Sequence, residues 1–332
     1  MIAIGIGDLH LTSTTGQGAL SQYIQNPDRY VASEVNRVLQ DAKEKGVSNI
    51  FLYGDLCEGT RMSYDAQLAL LSILRQDFDF HVILGNHDLF AEDPDAGHSL
   101  QLLKEFGLPN VKIYEEPTDV EIDGAPVRFL PFPHMNISKS SLNVFHNDVS
   151  GARMDTGRLI SKGSTSSSFA VGGHIHTNQR VRNTFYSGTL YQTAFGERKE
   201  KYYHQIEYDG DWEITDVPFK PRYTLHNAKV STKKQLAKLP RSKRDLIKLI
   251  LVDNFVPAPE DLVGLNVVMV KTSSDAHKQA LENLAELKNS GSQVNMSTDE
   301  FFHAWVQEQS VEDTLKTHAI THRQQVLKSI GK

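Results

Sequence analysis

Eight polar side chains stand out by type and spacing: Asp8 and His10, Asp55, Asn86 and His87, His146, then His174 and His176. Most follow short apolar runs, where a chain of this kind places its ligand-binding groups. Carboxylates and imidazoles gathered in one place repel or stay unsatisfied unless a cation compensates them. Asp8 and His10 are two apart, as are His174 and His176, so in extended segments each pair points the same way. Asp55 is suited to bridge two ions, and Asn86 offers a neutral carbonyl oxygen. The seven ligands Asp8, His10, Asp55, Asn86, His146, His174 and His176 exceed one tetrahedral site and suit two ions about 3.5–4 Å apart. A mixed oxygen and nitrogen set without cysteine favours two Mn2+ over structural zinc, with Mg2+ or Fe2+ as alternatives.

Alternating elements position these groups. "IAIGIGD" (2–8), "SNIFLYGD" (48–55) and "FHVILGNHD" (80–88) are β-like runs that each end in an acidic residue. Helical stripes separate them at 26–46 and 62–76. In the first, Asn26 is the cap, Pro27 the opening residue and Gly46 the stop. In the second, Leu68, Leu71 and Leu74 form the core-facing line. This order implies parallel strands with right-handed crossovers. After residue 110 the pattern turns to strands, with a hairpin at Asp123-Gly124 and β-like runs at 141–147, 167–176, 180–189, 201–210 and 211–219. The stretch 150–168, rich in Gly, Ser and Thr, reads as an exposed loop.

Near residue 220 the composition shifts. Residues 229–248 are strongly basic, and a smaller α/β unit and a mainly helical stretch (273–330) follow. The expected domains are 1–220, 221–296 and 297–332. Within the basic run, Lys233, Lys234, Arg241, Lys243 and Arg244 are the candidate phosphate contacts; the alternative is a solvated face.

The bulk numbers set limits. The chain has 332 residues, 23% charged and 39% hydrophobic, an ordinary globular balance. No apolar run is long enough for a membrane helix, and "MIAIGIGDLH" reads as a first strand, not a leader. The single Cys57 excludes an internal disulfide and fits a reducing compartment. A net charge of −6 excludes a uniformly basic surface but leaves room for a local basic face.

The segments "GDLH" (7–10), "GDLCE" (54–58), "GNHD" (85–88), "FHND" (145–148) and "GGHIH" (172–176) resemble, in order, the signature of calcineurin-like metallophosphoesterases. The following "YSGTLYQTAFGERKEK" (186–201) is similar to the SbcD-type DNA repair exonuclease subunit, in a compact bacterial or phage version. The resemblance implies an α/β fold: a two-sheet β-sandwich flanked by helices, with a small α/β capping domain and a helical C-terminal tail. It implies one ion on Asp8, His10, Asp55 and His176 and another on Asp55, Asn86, His146 and His174. His87 would act on substrate, with Asp88 orienting its imidazole. Cys57 and Glu58 depart from the pattern, and neither is an expected ligand. Further implications are a 3′→5′ exonuclease on duplex DNA with single-strand endonuclease action, a homodimer formed through helices near 62–74, and an SbcC-like coiled-coil ATPase partner; the apolar face of 299–320 is read either as its docking segment or as intramolecular packing. The location implied is the cytoplasm of a bacterium or of a phage-infected host. The competing readings are a small-molecule phosphodiesterase or phosphatase, and a non-catalytic DNA-binding scaffold.

His81, alternating with core positions, is expected to be packed. His98, His134, His204 and His226 are expected at the surface or in loops.

Overall fold

A computed structural model describes residues 1–11, 20–59, 61–92, 96–161, 163, 168–253 and 255–271. The chain divides into two compact units. The first comprises Met1–Thr14, Ile24–Thr193 and Glu197–Arg222; the second comprises Thr15–Tyr23, Ala194–Gly196 and Tyr223–Lys332. The helical stretch and docking segment read at 273–330 lie outside the described residues.

The first unit is a sandwich of two six-stranded sheets. Sheet one contains β1 (Ile2–Ile6), β2 (Asn49–Leu52), β3 (Asp79–Ile83), β4 (Val111–Tyr114), and, later in the chain, β11 (Lys201–Tyr208) and β12 (Trp212–Phe219), in the order β12-β11-β1-β2-β3-β4. Strands β1 to β4 are parallel, as the alternation of strand and helix requires. Sheet two has β5 (Thr118–Ile122), β6 (Ala125–Leu130), β7 (Leu142–His146), β8 (Ala170–Gly173), β9 (Gln179–Val181) and β10 (Thr184–Tyr186), in the order β5-β6-β7-β8-β10-β9. Asp123 and Gly124, at φ 48° and 76°, make the β5–β6 hairpin turn. The run read as one strand over 180–189 is instead a hairpin, because the chain reverses at Arg182, which has φ 56°.

Apolar residues alternate toward the space between the sheets, where Phe51, Tyr53, Ile83, Phe129, Val144 and Ile206 are fully buried. His81 is buried among them, stacked on Phe129 and bonded to the Tyr114 hydroxyl at 2.8 Å. His204 is fully buried beside the Tyr53 hydroxyl at 3.0 Å, and His98 is buried against Glu115 at 2.7 Å. These two are corrections to the surface reading, since a buried imidazole needs only one or two polar partners to be tolerated.

Helix α1 (Pro27–Glu44) buries Val31, Val35, Val38, Leu39 and Ala42. Asn26 precedes it in a left-handed conformation and makes no side-chain cap, contrary to the expectation. Helix α2 (Tyr64–Leu74) is capped by Ser63, whose hydroxyl accepts the Ala66 N–H at 3.1 Å. Its buried line is Ala66, Ala69, Leu70, Ile73 and Leu74. Leu68 points outward with Tyr64, at 44% and 73% exposure, so the core line expected through Leu68 is rotated. Helix α3 (Gln101–Phe106) is short and ends at Gly107.

The second unit has a parallel sheet β13-β14-β15 formed by Thr224–Val230, Asp245–Leu251 and Val267–Lys271, with short helices α4 (Lys233–Leu236) and α5 (Pro259–Leu262). Ala228, Ile247, Leu249, Leu251, Leu262 and Val267 form its own core.

Candidate metal centre

Five parallel strands of the sandwich deliver the candidate ligands from their carboxyl ends. Asp8 and His10 follow β1, Asp55 follows β2, and Asn86 follows β3. His146 ends β7, and His174 and His176 follow β8. The strands are rigid and buried, so the groups that follow them are held in place.

The local backbone differs from the extended geometry expected of Asp8 and His10. Asp8, His10, Asp55 and His174 all have positive φ, at 41°, 44°, 48° and 83°. Each is a left-handed residue at a cost on the order of 1 kcal/mol. The chain turns these side chains inward by left-handed steps, not by strand alternation. The fixing bonds are specific: His10 N–H donates to the Asp55 carbonyl at 2.9 Å, His174 N–H to Asp8 Oδ1 at 2.8 Å, and His87 N–H to Asp55 Oδ1 at 2.9 Å. Two glycines allow the close approach. A Cβ on Gly85 would lie 2.1 Å from Asp55 Oδ1, and one on Gly54 (φ 87°) 2.7 Å from His146 Nδ1.

Among the described residues the donor atoms form four groups: Asp8–His10–Asp55 and Asp55–His146–His174, which share Asp55, then His10–Glu58–His87, and Asp155–His176–Glu197, which holds His176 apart from the other three. His146 Nε2 is 3.1 Å from Asp55 Oδ2 and 3.2 Å from Asn86 Oδ1, and His174 Nδ1 is 3.0 Å from the same Asn86 oxygen. His10 Nε2 and His176 Nε2 are 2.9 Å apart. Ligand bonds of about 2.1 Å set at right angles separate neighbouring donors by about 3.0 Å. These four pairs have the spacing that neighbouring ligands of a divalent ion would have. Asp8 Oδ2 is buried without a hydrogen-bond partner, as expected of an oxygen reserved for a cation.

The electrostatics agree. Burial opposes protonation of His10, but Glu58, Asp55 and Asp8 raise its pKa to about 9. Burial likewise opposes, and Asp55 and Asp8 outweigh it, in raising His146 to about 9. Asp55 is buried, yet His146, His10 and His87 hold its carboxyl below the usual range. The centre draws positive charge into a buried place.

Asp88 requires a correction. Its carboxylate does not orient the His87 ring; it accepts backbone N–H groups from Gly85 at 2.9 Å, Cys57 at 3.1 Å and Leu56 at 3.4 Å. It is fully buried, and burial together with Asp55 pushes its carboxyl up to about 6. Asp88 is thus the clasp between the loops after β2 and β3. The half-buried His87 instead has its Nδ1 3.3 Å from the Glu58 carbonyl, and its ring meets that of His10 edge-on at 5.3 Å.

Sequence reasoning passed over four carboxylates behind the ligands. Glu58 Oε2 is 2.6 Å from His10 Nδ1, and Glu197 Oε1 is 3.3 Å from His176 Nδ1. Asp148 lies 3.3 Å from His174 Nε2, and Asp155 lies 3.6 Å from His176 Nδ1. Glu197 stands in the 186–201 segment already singled out, but nothing in its spacing ties it to a histidine 21 residues away.

In the basic run, Lys233 pairs with Asp261 at 2.6 Å, and the Arg241 guanidinium donates to the carbonyls of Val263 and Asp261. Lys234, Lys243 and Arg244 are exposed.

Residues 3–214 match the family model of calcineurin-like phosphoesterases, and the chain belongs to that family, whose members bind divalent metals. It is 25% identical over 223 residues to "Exonuclease subunit 1" of Enterobacteria phage T4, an alignment that takes in 60% of this chain and 62% of that protein. The chain thus spans less than two thirds of that relative's length. Among the described residues no helix is long and apolar enough to cross a membrane.

Proposed function

We propose that this protein is a two-metal phosphodiesterase acting on DNA. The reading is a 3′→5′ exonuclease on duplex ends with endonuclease action on single strands, using Mn2+, as the nuclease subunit of an SbcCD-like repair and recombination complex. The observation that carries it is the gathering of Asp8, His10, Asp55, Asn86, His146, His174 and His176, with the donor pairs His10–His176, His174–Asn86, His146–Asp55 and His146–Asn86 at 2.9–3.2 Å. The similarity to a phage exonuclease subunit favours a polymeric substrate over a small ester.

When bound, the two cations would supply charge neutralisation for the phosphate and acidify a water molecule. Asp8, His10, Asp55 and His176 would hold one, and Asp55, Asn86, His146 and His174 the other. His87, at the half-buried rim, protonates the leaving oxygen or steadies its charge, a role worth ~10²–10⁴-fold. Its backbone bond to Asp55 keeps the acid in step with the bridging ligand.

The remaining roles follow the same reading. The second unit serves as the DNA-capping domain, with Lys234, Lys243 and Arg244 as phosphate contacts; the other two candidates, Lys233 and Arg241, are occupied within the unit. The outward Tyr64 and Leu68 support a homodimer through α2. A coiled-coil ATPase would be the partner.

The test is Mn2+-dependent release of nucleotides from linear duplex, run beside hydrolysis of a small phosphodiester. Turnover of the small ester with no binding to DNA would overturn the DNA reading. Neutralising Lys234, Lys243 and Arg244 should flatten the slope of log affinity against log salt by about 2–3.

A further inference from the structure

The four ligand histidines are not backed alike. His146 Nδ1 donates to the Tyr53 carbonyl at 2.6 Å, a neutral acceptor. His174 meets Asp148, whose side chain is 40% exposed. His10 and His176 are different. Each presents Nε2 to the other across 2.9 Å, and each has Nδ1 beside a carboxylate: that of Glu58, 31% exposed, at ion-pair distance of 2.6 Å, and that of Glu197, hydrogen-bonded at 3.3 Å.

Glu197 is built into its place. It is 8% exposed, and its carboxylate accepts from the Thr193 backbone N–H at 3.1 Å, the Thr193 hydroxyl and Lys201 Nζ at 3.0 Å. Lys201 is itself buried and donates to Thr189 Oγ1 at 2.7 Å. The Glu197 carbonyl takes the Gln192 amide at 2.9 Å. Asp155, the other acid near His176, is farther away and already accepts the Thr177 hydroxyl at 2.6 Å.

The tautomer consequence is direct. A carboxylate on Nδ1 fixes the proton there. With both Nδ1 atoms so placed, the two Nε2 atoms converge at 2.9 Å, where a bound cation, or in its absence a shared proton, relieves the facing lone pairs. Carboxylate backing also makes each imidazole a stronger donor.

We infer that Glu58 and Glu197 are positioning residues for the cation held by Asp8, His10, Asp55 and His176, and that they make it the tighter bound of the two. The inference rests on the metal reading of the centre but not on the identity of the substrate. The ion held by Asp55, Asn86, His146 and His174, with one histidine backed by a neutral carbonyl and the other by a single acid, is the exchangeable one.

The experiment titrates the metal-stripped full chain with MnCl2 alone, by calorimetry and equilibrium dialysis. Two classes of binding are expected. Glu58→Gln and Glu197→Gln should each weaken the tighter class by ~10–100-fold and leave the weaker class within about threefold. Asp148→Asn should move only the weaker class. Because Glu197→Gln leaves Lys201 buried without its counter-ion, the double variant Glu197→Gln/Lys201→Met must show the same shift. A fold defect would weaken both classes together. Equal weakening of both, no weakening, or two classes of equal affinity in the unaltered protein would overturn the inference. Failure of the unaltered protein to bind Mn2+ would remove the metal reading beneath it; failure to cut DNA would not touch it.

Discussion

The Asp55 carboxylate accepts the backbone N–H of His87 at 2.9 Å while its other oxygen faces His146 at 3.1 Å. One side chain thus connects the proposed acid to both groups of ligands. Asp55→Asn is expected to lose bound Mn2+ and turnover together. His87→Ala is expected to keep two Mn2+ and lose ~10²–10⁴-fold in turnover. Metal analysis beside nucleotide release separates the two, and near-normal cleavage by His87→Ala would sink the acid role.

Asp88 is a structural clasp, so its removal acts on stability. Asp88→Ala leaves three buried N–H groups without an acceptor and should cost about 3 kcal/mol. Chemical denaturation of metal-free protein measures it. A variant as stable as the parent but catalytically dead would restore Asp88 to the His87 ring.

His81 sets a pH dependence. Burial first, and Lys112 second, lower its pKa to about 4 from an ordinary 6.5. The unfolded chain therefore binds the proton more readily than the fold does. The stabilisation is complete above pH 6.5 and is lost as pH falls from 6.5 toward 4, by at most about 3 kcal/mol. The difference in denaturation midpoint between pH 7 and pH 5 should shrink in His81→Phe, whatever that variant loses overall.

Leu68 and Tyr64 face outward from α2 at helical spacing. Leu68→Glu should leave the circular dichroism spectrum unchanged and convert a sedimenting dimer to monomer. A parent protein that is monomeric at tens of micromolar would refute the proposed dimer face.

The parallel strands and the convergence of the candidate ligands were legible because each apolar run stops at a polar residue, and strand ends converge in a sandwich. The Asp123-Gly124 hairpin was legible because few residue pairs adopt left-handed geometry twice in succession. The pointing of Asp8 and His10 was not, since positive φ at a non-glycine is imposed by tertiary bonds such as His10 to Asp55. The outward turn of Leu68 was hidden because Ala66 and Ala69, small residues, take the packed line in α2. Burial of His204 depended on the Tyr53 hydroxyl, 151 residues away. Glu58 and Glu197 were likewise beyond reach, because a carboxylate that supports an imidazole has no fixed separation from it in the chain.

The left-handed residues in the centre also constrain redesign. At Asp8, His10, Asp55 and His174 the backbone admits aspartate, asparagine or histidine far more readily than glutamate or a β-branched residue. Any attempt to retune the centre toward a softer metal would best begin at Asn86, His146 and His176, where a new side chain meets no such torsional tax.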